Sequence, residues 1–144
     1  MLKKILLALL LVLVVLQFFR IDKTNPAVNP KSDFLLINQA NPAITEKIKA
    51  ACYDCHSHET SYPWYTNVAP LSFWIRGHIK GGRLNLNFST WSRYTPEDQA
   101  HHIKESIDEI KARHMPLKSY TWAHPDAQLS ETDITDLVRW FEQL

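Results

Sequence analysis

The sequence predicts a mainly α-helical domain with long loops rich in aromatic residues, preceded by a hydrophobic N-terminal helix. Apolar residues recur at helical spacing in several segments, and capping residues precede those segments. Strand alternation is confined to residues 84–88. Of the 144 residues, about 115 remain for a core once the N-terminal segment is set aside, which suits one domain.

The first 22 residues are typical of a membrane signal. Lys3 and Lys4 precede residues 5–16, which contain no polar side chain, as in a basic region followed by an apolar one. The run ends in Gln17-Phe-Phe-Arg20 without a small-residue cleavage site, which favours an uncleaved signal anchor or transmembrane helix over a cleaved signal. The positive charges at the front predict a single-pass protein of the inner membrane, with its domain on the periplasmic side.

The charge distribution argues against a nucleic-acid partner. Lys3, Lys4, Arg20 and Lys23 against Asp22 leave +3 at the N-terminus, and because the whole chain carries +1, the remainder carries −2. Phosphate binding needs a concentrated Lys/Arg face, and the sequence has none.

Residues 23–40 are predicted to form a tether, because Pro26 and Pro30 oppose a helix. Residues 41–144 then form the domain. Its first helix begins at Asn41-Pro42, a helix cap followed by proline, and leads into the two cysteines of the chain.

Three further helices follow. Residues 70–80 carry apolar residues at helical spacing and are expected to end at Gly81-Gly82. Thr95-Pro96 starts a helix that runs to about residue 113, and the box from Ser130 to Asp133 starts the last one. Met115 precedes a proline, so it is expected at a bend after the third helix.

The segment Cys52-Tyr-Asp-Cys55-His56 carries the chemistry. In C-x-x-C-H the two thiols add to the haem vinyl groups, and the histidine ligates the iron. A redox-active dithiol is the main alternative, but it would follow a strand, whereas this motif ends a capped helix. A metal site is a lesser one, because no other cysteine could complete it. The sequence therefore predicts haem c held by Cys52 and Cys55, with His56 as an iron ligand.

Met115 is the first candidate for the sixth iron ligand. It is the only methionine beyond the initiator, and a thioether opposite histidine raises the reduction potential, which suits electron transfer. A methionine that fills the core is the alternative reading. His78 is the second candidate, and an open sixth position is the third.

Aromatic side chains are expected to form the walls of the haem pocket. The candidates are Trp64, Trp74, Trp91 and Tyr120, although stacking in an ordinary core would give the same sequence. Arg83 is predicted either to pair with a haem propionate, which its planar fork suits, or to lie on the surface.

These motifs resemble two known groups of proteins. Met115-Pro116 followed by a terminal amphipathic helix resembles the C-terminal half of class I cytochromes c, in which that helix packs across the one bearing C-x-x-C-H. More extensively, the chain from about residue 40 resembles the bacterial haem-binding domain family. The shared segments are Cys52-Tyr-Asp-Cys55-His56-Ser57, Tyr62-Pro-Trp-Tyr65, Ala69-Pro70, His78, Gly82-Arg83, Leu86-Asn-Phe-Ser89, Trp91, Met115-Pro116, Tyr120 and His124-Pro125.

The resemblance implies haem binding in a cytochrome c-like helical domain. The expected function is one-electron transfer outside the cytoplasm, as a carrier or haem-binding module that serves a redox partner protein. The alternative is a haem-based enzyme or a gas or redox sensor with an open or displaceable sixth ligand.

Overall fold

A computed structural model describes residues 1–144, and every regular element in it is helical. The α-helices are α1 Leu2–Leu16, α2 Phe34–Ile37, α3 Pro42–Ile48, α4 Asp54–His56, α5 Leu71–Asn85, α6 Pro96–Lys111, α7 Lys118–Ala123 and α8 Glu131–Phe141. A π-helical turn, Lys49–Tyr53, joins α3 to α4, and 3₁₀ turns lie at Pro30–Ser32, Trp64–Asn67, Phe88–Arg93 and Pro125–Ala127. The mainly α prediction is confirmed. Residues 84–88, the only strand candidate, form no strand: α5 ends at Asn85 and a 3₁₀ turn begins at Phe88.

The predicted helix starts are confirmed by their caps. The Asn41 side chain accepts from the Ile44 N–H at 3.0 Å, and Thr95 caps α6 in the same way. At α8 the Ser130 hydroxyl accepts from the Asp133 N–H at 3.1 Å, while the Asp133 carboxylate accepts from the Ser130 N–H at 2.9 Å. Each cap satisfies backbone donors that have no partner within the helix.

The predicted end of α5 at Gly81-Gly82 is wrong, since the helix continues to Asn85. The reason lies in packing. A β-carbon on Gly82 would stand 2.6 Å from the carbonyl oxygen of Cys55, so glycine at this position permits close approach of α5 to α4.

The hydrophobic core lies on one side of the helix that carries the cysteines. Its buried members are Phe34, Leu35, Ile44, Ile48, Tyr53, Phe88, Trp91, Ile110, Leu137, Val138 and Phe141. Helix α8 packs against α3 and α6 to close this side. Two expectations change here. Trp91 packs in the core instead of lining a pocket, and part of the predicted tether, Phe34 and Leu35, belongs to the core because its apolar run folds into α2.

The N-terminal helix α1 has 15 residues, none of them buried. No helix of the protein combines the length and the apolar character needed to cross a membrane, so the predicted transmembrane helix has no support in the structure.

Candidate functional site

The two cysteines and His56 lie at the end of a continuous helical segment. This segment runs from Pro42 to His56 and contains the π-helical turn at Cys52. Ser57 then adopts an extended conformation, and its hydroxyl donates to the carbonyl of Tyr53 at 2.7 Å. Turns of π-helix are found frequently at functional sites, where they alter the direction of side chains.

His56 is oriented by a backbone carbonyl. Its Nδ1–H donates to the carbonyl oxygen of Leu86 at 3.1 Å, which leaves Nε2 with its lone pair available. Burial lowers the pKa of this histidine, against the opposing effect of the carbonyl contacts, so the neutral ring is favoured. A neutral imidazole with one nitrogen free is the form that binds a metal.

The cysteines carry free, protonated thiols. Burial raises the pKa of Cys52 to about 12, and the neighbouring Cys55 contributes to the increase. Burial also raises the pKa of Cys55 to about 11, with a contribution from the Asp54 carboxylate. A raised pKa leaves a thiol protonated at neutral pH, whereas the thiolate is the nucleophile in thiol–disulfide exchange.

A cavity of about 500 Å³ lies between α4, α5 and the segment before α7. His56, Met115 and His78 all line it, and Cys55 stands at its wall. Its other lining residues are Ala51, Trp74, Gly77, Gly81, Gly82, Asn85, Pro116, Leu117 and Tyr120. The volume is typical of a site for a cofactor or a drug-sized ligand.

Three glycines of α5 line this cavity. At Gly77 and Gly81 a β-carbon would meet nothing within 4 Å, whereas at Gly82 it would collide with Cys55. The helix therefore approaches α4 closely at Gly82 and presents bare backbone to the cavity at the other two. A flat group can lie against such a surface.

Met115 and His78 line the same cavity as His56. Met115 lies at a bend after α6, as predicted, and is 37% exposed instead of filling the core. The Nδ1–H of His78 donates to the carbonyl of Trp74 at 2.9 Å, so its Nε2 is free as well. Both side chains thus remain candidates for the position opposite His56.

A second cavity, of about 620 Å³, adjoins the first one and shares Cys55, Trp74, His78, Leu117 and Tyr120 with it. Trp64 lines only this second cavity and is largely exposed. The predicted wall residues Trp64, Trp74 and Tyr120 are therefore brought together around one continuous space.

The second cavity contains a pair that sequence analysis missed. The hydroxyl of Tyr65 is hydrogen-bonded to Nε2 of His124, and the His124 ring stacks on Tyr120 with 4.2 Å between ring centroids. Both segments appear in the family resemblance, but 59 positions separate the two residues, and no local pattern joins them.

Tyr120 connects α7 to the helix that carries the cysteines. Its hydroxyl donates to the Asp54 carboxylate at 2.8 Å and lies 3.1 Å from the carbonyl of Ala50. Burial and the nearby Asp54 charge raise the pKa of Tyr120, so it remains a neutral donor. The other Asp54 oxygen accepts from the Ser61 N–H at 2.7 Å. Asp54, which sequence analysis did not single out, thus holds the C-x-x-C-H turn in place from two sides.

Arg83 lines neither cavity, and its contact with a propionate stays a prediction beside the surface alternative. Its guanidinium donates to the carbonyl of Ser57 at 2.7 Å, to Asn25 at 2.9 Å and to Thr60 at 2.8 Å. These bonds fasten the N-terminal segment to the loop that follows His56. The planar guanidinium of Arg83 therefore donates to backbone and side-chain oxygens of the protein itself.

The residues present fit a haem. The Cys55 thiol, an oriented imidazole, a thioether and bare glycine backbone line one cavity of sufficient size. Cys52 does not line the cavity and packs against the hydrophobic core. No curated protein and no solved structure matches this chain. Residues 11–143 match the model of a haem-binding domain, so nearly the whole chain is covered. The protein accordingly belongs to the haem-binding domain family and binds haem.

Proposed function

We propose that the protein carries haem c, bound covalently through Cys52 and Cys55, and transfers single electrons outside the cytoplasm. His56 and Met115 are the proposed iron ligands. The observation that carries the proposal is that both side chains line one cavity, beside Cys55, while Nδ1 of His56 is already engaged by a carbonyl.

The hydrogen bond to Leu86 supports a ligand role for His56. Metal-binding histidines commonly donate their second ring N–H to a carbonyl or carboxylate, which fixes the tautomer and the orientation of the ring. Here that partner exists within the protein. Nε2 of His56 is therefore the proposed ligand atom.

Met115 is the preferred sixth ligand because it is not committed to the core. Its side chain is partly exposed and lines the same cavity as His56. When bound, the haem supplies a reversible one-electron change at its iron, and thioether ligation raises the potential of that change.

The other residues have supporting roles in this proposal. Trp74 and Leu117 line the cavity and would shield a bound haem from water, and Asp54 with Tyr120 holds the attachment turn in position. The contact of α8 with α3, and the ion pair between Lys47 and Asp133 at 3.4 Å, support the proposed likeness to class I cytochromes c.

The extracytoplasmic location is part of the same proposal. It rests on the basic and apolar N-terminal segments of the sequence and on the chemistry of attachment, which needs reduced thiols and haem delivered outside the cytoplasm. The absence of any cysteine other than the pair leaves both thiols free for haem.

Substitution of Met115 tests the iron ligation. Met115→Ala should leave haem attached but abolish the ferric-methionine charge-transfer band in the near-infrared and visible spectrum. His78→Ala is the matched control, since His78 lines the same cavity, and it should retain that band. A Met115→Ala spectrum identical to that of the unchanged protein would refute the ligand assignment.

A second function is favoured by one observation. The adjoining cavity of about 620 Å³ could admit a small ligand near the iron, with His78 and the Tyr65–His124 pair close by. In that case the protein would be an enzyme or a gas or redox sensor with a displaceable sixth ligand. Rapid binding of carbon monoxide or cyanide to a high-spin iron would favour this function over electron transfer.

A further inference from the structure

The residues that follow α1 are fastened to the domain. Nε2 of Gln17 donates to the Ala69 carbonyl at 2.9 Å, and Oε1 of Gln17 accepts from the Ala69 N–H at 3.0 Å. Arg20 donates to the carbonyl of Asn67 at 2.6 Å, and Ile21 is buried. Helix α1 therefore leaves the domain at a fixed point beside residues 67–69.

Exposed apolar side chains lie on both of the segments that meet at this point. These side chains, each more than a third exposed, are Phe18, Phe19, Trp64, Val68, Leu71 and Phe73. None of them belongs to the hydrophobic core. Contiguous exposed surfaces of this composition mark sites of interaction with a protein or a membrane.

Basic side chains lie at the edge of the same surface. Arg20 and Lys23 follow α1, and both donate to Asn67. Hydrogen bonds from Thr24 lower the pKa of Asp22, and the charge of Arg76 adds to this effect, so Arg76 lies near the same segment. Three cations and one carboxylate leave this edge positively charged.

We propose that this face, which we call the apolar face, lies on an anionic phospholipid surface. Its aromatic and aliphatic side chains enter the boundary between headgroups and acyl chains, while Arg20, Lys23 and Arg76 contact the phosphates. Helix α1 favours lipid over a protein partner. From Ile5 onward it carries no polar side chain, and none of its residues is buried, so lipid can surround it whereas a protein surface would cover one side.

The proposal also predicts that the second cavity opens toward the lipid surface. Trp64 and Leu71 belong both to the apolar face and to the lining of that cavity. With the apolar face on lipid, the rim of the cavity lies at the lipid surface, and α8, on the core side, lies away from it.

Amide hydrogen exchange of the full-length protein in lipid nanodiscs tests the proposal. Discs of phosphatidylcholine alone are compared with discs that also contain phosphatidylglycerol. Exchange over residues 62–76 should slow roughly fivefold or more on the anionic discs, and exchange in α8 should not change. High salt should remove the difference, because it screens the charges.

Charge variants provide the control. Arg20→Gln with Lys23→Gln and Arg76→Gln should abolish the slowing. Lys104→Gln with Lys111→Gln and Arg139→Gln removes three exposed cations from α6 and α8 and should preserve it. Equal exchange over 62–76 on both kinds of disc would overturn the proposal. Slowing that depends on the protein concentration and not on anionic lipid would also overturn it, because it would indicate that a second copy of the chain covers this face.

Discussion

The two sides of the helix that carries the cysteines use aromatic residues in different ways. On the core side the rings pack on one another: Phe34 lies 4.6 Å from Trp91 and 4.8 Å from Phe88 between centroids, and all three are buried. On the cavity side Trp64 and Trp74 are exposed and border open space. The chain thus completes one half of its interior with its own side chains, whereas the other half is shaped to receive a cofactor.

The difference indicates where the stability of the protein without haem resides. Ile48 and Tyr53 face the core, while Cys55 and His56 face the cavity. The helix can be positioned by its buried side before haem arrives, so the Cys55 thiol and the imidazole are presented in advance. Such preorganisation reduces the ordering cost of binding.

The largest difference between the core side and the cavity side is expected when one aromatic ring is removed from each. Phe34→Ala deletes a fully buried side chain that contacts four other rings, and it should lower the free energy of unfolding by about 3–5 kcal/mol. Trp64→Ala removes an exposed ring and should change it by less than about 1 kcal/mol. Denaturant unfolding of the haem-free protein measures both. Equal losses would show that the cavity side is packed as firmly as the core.

A smaller effect is expected where the two sides meet. Gly82→Ala places a methyl group 2.6 Å from the carbonyl oxygen of Cys55, forces α5 away from α4 and should cost about 1–3 kcal/mol. Gly81→Ala is the matched control, because its β-carbon meets nothing within 4 Å and alanine is the better helix former. Thermal unfolding should separate the two variants in opposite directions. A stabilising Gly82→Ala would contradict the close packing described here.

The smallest predicted effect concerns the cap of α8, on the core side. Ser130→Ala removes the hydroxyl that accepts from Asp133 and should cost about 1 kcal/mol. Hydrogen bonds from Ser130 lower the pKa of Asp133 below its ordinary value of 3.8. The Asp133 carboxylate therefore makes its full contribution to the free energy of unfolding above pH 3.8. That contribution is lost as the pH falls through the lower pKa of the folded state. The haem spectrum should not change in this variant, because α8 does not line the cavity.

Much of the helical framework could be predicted from the sequence. The caps at Asn41, Thr95 and Ser130 locate α3, α6 and α8 because each signal is local. The short helices α2 and α7 were missed. The prolines at 26 and 30 favoured an extended tether, so the cap of α2 at Asp33 was overlooked. Helix α7 has no side-chain cap that could indicate its start.

The candidate site could be predicted only where its residues are adjacent in sequence. The spacing of Cys52, Cys55 and His56 is visible in the sequence, and so is the bend at Met115. The contact of Asp54 with Tyr120 spans 66 positions and depends on how α7 packs. The hydrogen bonds of Arg83 could not be predicted for the same reason, since its partners come from the N-terminal segment and the loop after His56.

The intact mass of the exported protein after acid–acetone extraction tests the central claim most directly. If Cys52 and Cys55 hold haem c, the mass of the polypeptide should exceed that of the chain by one haem, and the pyridine haemochrome should be that of haem c. Cys52→Ala with Cys55→Ala should return the mass to that of the chain. A polypeptide of unmodified mass, with the haem recovered in the acetone, would contradict covalent attachment.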